Sequence, residues 1–158
     1  MSQAQENLFL IKMRSEFQEI SSEADIKKVL DFEYENADDK ERQLIEAYKA
    51  TATCMLADYA FAPTSKLKYF NEGKKRLEEL ILERKDVENV YLRLLLQLNV
   101  PRILSYDNNI EEDMAYLGSS LAAAPIDVTY KYAMLKNLVG VAKKNELKEV
   151  LLQINVVE

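Results

Sequence analysis

The sequence predicts an all-α fold: seven or eight helices stacked as antiparallel helical hairpins. Leu, Glu, Lys and Ala dominate the 158 residues, against three Gly and three Pro, a balance that favours helix over sheet. Apolar residues recur at helical spacing along nearly the whole chain. Pro63, Pro101 and Pro125 each fall at a break between such stripes, where a residue that cannot continue a helix belongs. The length is that of one domain, 1–158, large enough to bury a sizeable core. N-terminal helices are expected over 1–38 and helical-hairpin repeats over 39–158.

In chain order, Gln3 to about Phe17 is the first predicted helix, with Phe9, Met13, Phe17 and Ile20 on one stripe. Ser22-Glu-Ala-Asp25 is a near match to the capping box, with Asp where Glu is usual. The stripe Ile26, Val29, Leu30 and Phe32 follows it. Glu35 to Asp39 is a polar break, and Asp38 or Asp39 caps a long helix ending near Phe61. That helix carries Leu44, Tyr48, Ala52, Met55, Tyr59 and Ala62. Beyond Ala62-Pro63, Thr64 or Ser65 caps a helix running to about Arg84, with Leu67, Phe70, Gly73, Leu77, Leu80 and Ile81 at the same period. Two amphipathic helices with so short a break make an antiparallel hairpin. Its first arm also holds a run of small residues from Ala47 to Ala60, and Gly73 costs its helix roughly 1 kcal/mol relative to Ala. Tight packing of Gly73 against that strip is the expectation.

Lys85-Asp86 reads as a short turn. Val87, Val90, Tyr91, Leu94 and Leu98 mark the next helix, and Leu92, Leu95 and Leu96 fill its other sides, so it is expected to be buried nearly all round. Pro101 ends or kinks it, and Tyr106-Asp-Asn-Asn109 is a loop of turn formers. Ile110, Met114, Leu117 and Leu121 form a stripe ending before Pro125. Ile126, Tyr130, Met134, Leu138 and Val141 form another, capped by Asp127 and closed by Lys143-Lys-Asn145. Leu147, Val150, Leu151 and Ile154 make a short last helix. Asp39, Val87 and Asp127 thus open successive hairpins roughly 40–50 residues apart, within the range of two-helix repeats.

Gly73, Leu77 and Leu80 match the small-x3-large-x2-small/apolar frame of the second helix of a tetratricopeptide repeat. Together with Tyr59 to Tyr69, Arg93-x3-Gln97-x3-Pro101 and Tyr106-x3-Ile110-x2-Asp113, they make the stretch from Leu44 to Leu117 resemble uncharacterised bacterial helical proteins of the tetratricopeptide-like kind. Trp is absent, and Lys85 stands where Pro closes a repeat. The resemblance implies a right-handed helical stack used for protein contacts, and it implies no reaction.

The residue inventory narrows the chemistry. Histidine is absent and Cys54 is the single cysteine, which removes most zinc sites, every Cys-His or Ser-His-Asp arrangement and any intrachain disulfide. Cys54 among small residues reads as a buried, inert thiol. The net charge of −6 argues against nucleic acid as a partner. Ten acidic residues against three basic lie between Glu16 and Glu41, a solvated acidic face. No segment is apolar for long enough to span a membrane. The compartment stays open: cytoplasmic, or exported if Ser2-Gln-Ala-Gln5 is the start of a mature chain after signal removal.

Three constellations remain. Asp107, Asn109, Glu111 and Asp113 alternate like a calcium loop, but the required Gly at the sixth position and Glu at the twelfth are Glu112 and Gly118 here. The expected role of Asn108 or Asn109 is a helix cap, with Glu111, Glu112 and Asp113 favourable in the first turn. Second, Asn89, Arg93 and Gln97 form one polar line on the most apolar helix. A buried guanidinium wants a carboxylate. Arg93 either pins the Pro101–Tyr106 loop, with Asp107 or Asp113 as partner, or lines a groove for a partner's carboxylate. The candidate binding set is therefore Asn89, Arg93, Gln97, Tyr106 and Asp113. Third, Tyr48, Tyr59, Tyr69, Tyr91, Tyr106, Tyr116, Tyr130 and Tyr132 fall mostly on core stripes, with hydroxyls at the rim. The expected function is a non-enzymatic scaffold or adaptor binding a protein or peptide, needing no cofactor or metal and open to homo-oligomerisation. The alternative is a small-molecule carrier or sensor with a pocket around Arg93 and the tyrosines.

Overall fold

The computed structural model describes the backbone from Gln3 to Glu158 and the side chains from Leu8 onward. Ser2 and the side chains of Gln3, Ala4 and Gln5, the segment read above as a mature start, lie outside the described residues. Eight α-helices and two short 3-10 turns make up the fold, with no strand among the described residues. The helices are α1 (Gln3–Gln18), α2 (Glu23–Leu30), α3 (Asp39–Met55), α4 (Pro63–Glu83), α5 (Val87–Asn99), α6 (Ile110–Ser120), α7 (Val128–Val141) and α8 (Asn145–Leu152). None is long and apolar enough to cross a membrane. The chain divides into two compact units, Met1–Arg84 and Lys85–Glu158.

In the first unit α3 is central, packing on α1, α2 and α4. Its start is fixed by Asp38, whose carboxylate accepts from the Glu41 N–H at 2.8 Å, and α2 starts with Ser22 accepting from the Asp25 N–H at 3.2 Å. Asp25 does not complete the box on Ser22. It accepts instead from the backbone and hydroxyl of Ser21, at 3.0 and 3.1 Å. Lys49 of α3 donates to the Phe32 carbonyl at 2.7 Å and so holds the chain leaving α2.

The α3–α4 pair is an antiparallel hairpin. Gln43, at the start of α3, donates to Glu83 at the end of α4, and Cys54, at the end of α3, donates to the Phe70 carbonyl. Gly73 is the point of closest approach. A Cβ built on it would collide with the Ala50 carbonyl and the Cys54 sulfur and lie 2.8 Å from the Cys54 nitrogen. The small-residue strip thus does admit α4, and the hydroxyls within it are satisfied locally, Thr51 donating to the Ala47 carbonyl and Thr53 to that of Lys49.

The hairpin turn departs from the expected one. The first arm ends its α-helix at Met55, tightens into a 3-10 turn over Leu56–Asp58 and leaves Tyr59 and Phe61 exposed. Pro63 is the first residue of α4 and Ala62 precedes it in extended conformation, so neither Thr64 nor Ser65 caps. Proline at the first helical position needs no amide partner and arrives with helical φ.

In the second unit α5 packs on α6 and α7, and α8 packs on α7. Eleven of the 13 residues of α5 are buried, as its all-round apolar sequence requires. Asp127 starts α7 by accepting from the Thr129 N–H at 3.0 Å. The buried Lys131 donates to the Ala122 carbonyl at 2.7 Å, capping the chain that leaves α6.

Candidate functional site

The polar line of α5 and its partners on α6 form the one buried polar constellation that the sequence singled out. It begins at Asp86. The Asp86 carboxylate accepts from the Asn89 N–H at 2.9 Å, and the Asn89 side chain accepts from the Asp86 N–H at 3.0 Å. Asn89 is thereby half of a capping box, and the Lys85-Asp86 turn is a helix start. The sequence pattern hid this because the usual box pairs Ser or Thr with Glu or Gln.

One turn on, Arg93 meets Asp113 of α6 in a two-pronged pair. Its Nε donates to Oδ2 at 2.8 Å and its Nη2 to Oδ1 at 2.7 Å. The two residues are 5% and 0% exposed. A guanidinium fork matches a carboxylate in this way, and both distances are those of charge-assisted bonds. Burial pushes the Asp113 carboxyl above the ordinary aspartate value, while the bond and charge of Arg93 act in the opposite direction.

Another turn on, Gln97 closes a reciprocal pair with Asn109: Gln97 Nε2 donates to Asn109 Oδ1 and the Asn109 N–H donates to Gln97 Oε1, both at 3.0 Å. Asn109 sits at the N-cap of α6, yet its side chain makes no cap there. It serves Gln97 instead, a correction to its expected role. As one residue number rises along α5, its partner's falls along α6, so this pair of helices is antiparallel too.

Between them the loop turns on Ser105, a non-glycine residue in the left-handed region at φ 50°, and buries Tyr106 to 2% exposure. Asp107 stays exposed and takes no part in the Arg93 pair. Tyr91 is buried, and its hydroxyl accepts from Asn137 of α7 at 3.1 Å. At the open edge, Lys85 donates to Glu112 at 3.0 Å and lies 4.7 Å from the Tyr116 ring centroid. The Lys85 ammonium holds the Glu112 carboxyl below its usual range.

All five candidate residues therefore fall in one unit. Arg93 and Asp113 meet directly, Gln97 and Asn89 bond to Asn109 and Asp86, and Tyr106 is buried in the connecting loop. No group of three or more Asp, Glu or Cys side chains among the described residues could hold a metal ion. Among the described residues, hollows of about 300 and 360 Å³ open away from this constellation. One lies in the first unit beside Leu56, Ala60, Phe61, Ala62 and Tyr69. The other lies between α6 and α8, floored by Met114, Ala115 and Gly118. The eight tyrosines singled out in the sequence, of nine in the chain, split: Tyr48, Tyr91 and Tyr106 are core, whereas Tyr59 and Tyr132 are about half exposed. No protein-family model, curated protein or solved structure matches the chain.

Proposed function

We propose that the protein is a non-enzymatic helical adaptor, built of tetratricopeptide-like hairpins, that binds a protein or peptide partner. The observation that carries this reading is the tip of the α3–α4 hairpin. Phe61 is fully exposed there, with Tyr59 and Leu67 about half exposed, beside the hollow lined by Leu56, Ala60 and Tyr69. A benzyl group held wholly in water by a short, proline-bounded turn gains from a partner that covers it. Aromatic anchors of this kind dominate the energy of protein interfaces. The buried polar line of α5 is consistent with the same reading. Asp113 already completes Arg93, so the guanidinium needs no ligand to offset its burial, which is what the carrier alternative would ask of it.

Retention of proteins from the source cell on immobilised wild-type and Phe61→Ser chains tests the proposal, with the melting temperature of each as control. Loss of a specific retained protein in Phe61→Ser, at an unchanged melt, is the expected result. Equal retention by both chains would remove the hairpin tip from any binding role. Arg93→Lys keeps the charge and disturbs the fork, and the adaptor reading expects it to alter stability before it alters retention.

A further inference from the structure

Helix α4 carries its charges in the reverse of the order that suits a helix. Lys66, Lys68, Lys74, Lys75 and Arg76 stand ahead of Leu77 against Glu72, and Glu78, Glu79 and Glu83 follow it. Acids are favourable near the start of a helix and bases near its end. Glu four residues before Lys also pairs better than Lys before Glu, and Lys68-Glu72, Lys74-Glu78 and Lys75-Glu79 all run the poorer way. The first turn of α4 holds no acid, and Ala62 gives it no side-chain cap. Each other helix from α2 to α8 begins with an acid in its first turn or, in α7, with an Asp cap. This local excess of base belongs to a chain of net charge −6.

The chain itself makes little use of that charge. Lys68 and Lys75 are exposed, and among the described residues neither enters an ion pair or a hydrogen bond. Seven residues apart, they lie two turns apart on one side of the helix, with Asn71 between them. Leu67, 48% exposed, borders this line at its start. Lys66 donates to the Ala57 carbonyl at 3.0 Å, which keeps its ammonium at the hairpin tip with the fully exposed Phe61. A basic line thus begins at an apolar tip and runs down α4.

We propose, resting on the adaptor reading above, that this line takes an acidic peptide segment of the partner, one of whose apolar side chains covers Phe61 and Leu67. Carboxylates beside Lys68 and Lys75 supply the negative charge that α4 lacks towards its start. From Pro63 to Lys75 is 13 residues, about 20 Å at 1.5 Å per residue, the reach of about six extended residues. Helical spacing puts Glu72 and Glu79 along one flank of the lysine line and Glu78 at its foot. A flat anionic bilayer would meet those glutamates together with the lysines, whereas a narrow peptide follows the lysines past them. Exposed charge pairs add little affinity one by one. They select the partner and speed its approach, while the apolar tip supplies the contact energy.

Selection of a displayed library of random peptides on the immobilised full chain reads the preferred chemistry. Enriched peptides are expected to carry an excess of Asp and Glu next to an aromatic or aliphatic residue. Binding of one such synthetic peptide is then followed by fluorescence anisotropy, with the melting temperature of each variant as control. The double variant Lys68→Glu with Lys75→Glu is expected to weaken it about tenfold or more, equivalent to about 1.4 kcal/mol. Added salt is expected to weaken it as well, and Phe61→Ser to abolish it. Lys68→Gln with Lys75→Gln removes the charge and adds none, so it carries the test should the glutamates disturb α4. Enrichment of neutral or basic peptides that still need Phe61, or binding indifferent to both lysine variants, would overturn the acidic partner and leave the adaptor reading in place. Enrichment of no peptide, or binding indifferent to Phe61→Ser, would overturn both. Capture of mixed phosphatidylserine and phosphatidylcholine vesicles through the same two lysines, with no acidic peptide enriched, would assign the line to a membrane surface instead.

Discussion

Arg93 lies between Leu92 and Leu94 on a helix with almost no face in water, and its charge is tolerable there because it is paired, Asp113 accepting two of its donors. Breaking such a buried pair on one side leaves the other charge alone, at a cost of about 3–5 kcal/mol. Arg93→Met is expected to lower stability by that amount in urea unfolding. Arg93→Met together with Asp113→Leu removes both charges and is expected to recover most of the loss. Equal destabilisation by the single and double changes would show that packing, and not the stranded carboxylate, sets the cost. Cys54 gives a second test at this scale. Burial raises its thiol from an ordinary value near 9 to about 12. The folded state therefore holds a proton that the unfolded chain releases in that window, and stability falls as pH rises from about 9 towards about 12. Cys54→Ala is expected to lose that part of the pH dependence, and Ellman's reagent at pH 8 is expected to react only after denaturant is added.

The glycines separate at the scale of the element. Gly73 is clamped between α3 and α4, so Gly73→Leu overpacks the hairpin and is expected to cost on the order of 1–3 kcal/mol. Gly118 sits in α6 with open space around it, and Gly118→Ala is expected to stabilise by about 0.5–1 kcal/mol. Thermal melts of the two variants should move in opposite directions; a Gly73→Leu melt unchanged from wild type would mean that the hairpin contact is not what holds Gly73. Sequence periodicity already separates these glycines: Gly73 falls on the apolar stripe of its helix, whereas Gly118 falls beside the stripe Ile110, Met114, Leu117 and Leu121. What the sequence made legible was whatever chain-local chemistry decides: caps at Ser22, Asp38 and Asp127, the buried sides of α5, the small-residue strip. The polar line was also legible, since Asn89, Arg93 and Gln97 share one helix face. Their partners were harder to read. Asp113 was one of two carboxylates within reach, and nothing local distinguishes Asn109 as a mate for Gln97 from Asn109 as a cap. The end of α3 is hidden from the sequence for a similar reason. Tyr59 and Ala62 keep helical spacing, but the 3-10 turn at Leu56 shifts the register and turns Tyr59 outward.

Over the whole molecule, acidic groups outnumber basic ones and leave a net charge of −6, a field that draws divalent cations without holding them. A bound ion needs converging ligands. The alternating stretch from Asp107 to Asp113 does not supply them: Asp113 is committed to Arg93 and Asn109 to Gln97, while Asp107 and Glu111 remain in solvent. Millimolar calcium is accordingly expected to leave the melting temperature where it was. A rise of several degrees would reveal a native-state site, since a ligand bound only by the folded form must stabilise it.

The close contact at Gly73 also bears on how the hairpin can go wrong. Two amphipathic helices with repeating apolar stripes have several near-equivalent ways to lie together, one helical turn apart. Sliding α4 by a turn against α3 would bring Tyr69 or Leu77 to the place where even a methyl group collides with the Ala50 carbonyl and the Cys54 backbone. The hairpin thus has a keyed position, like a lock with a single notch, and misaligned encounters are rejected by backbone atoms that cannot retreat.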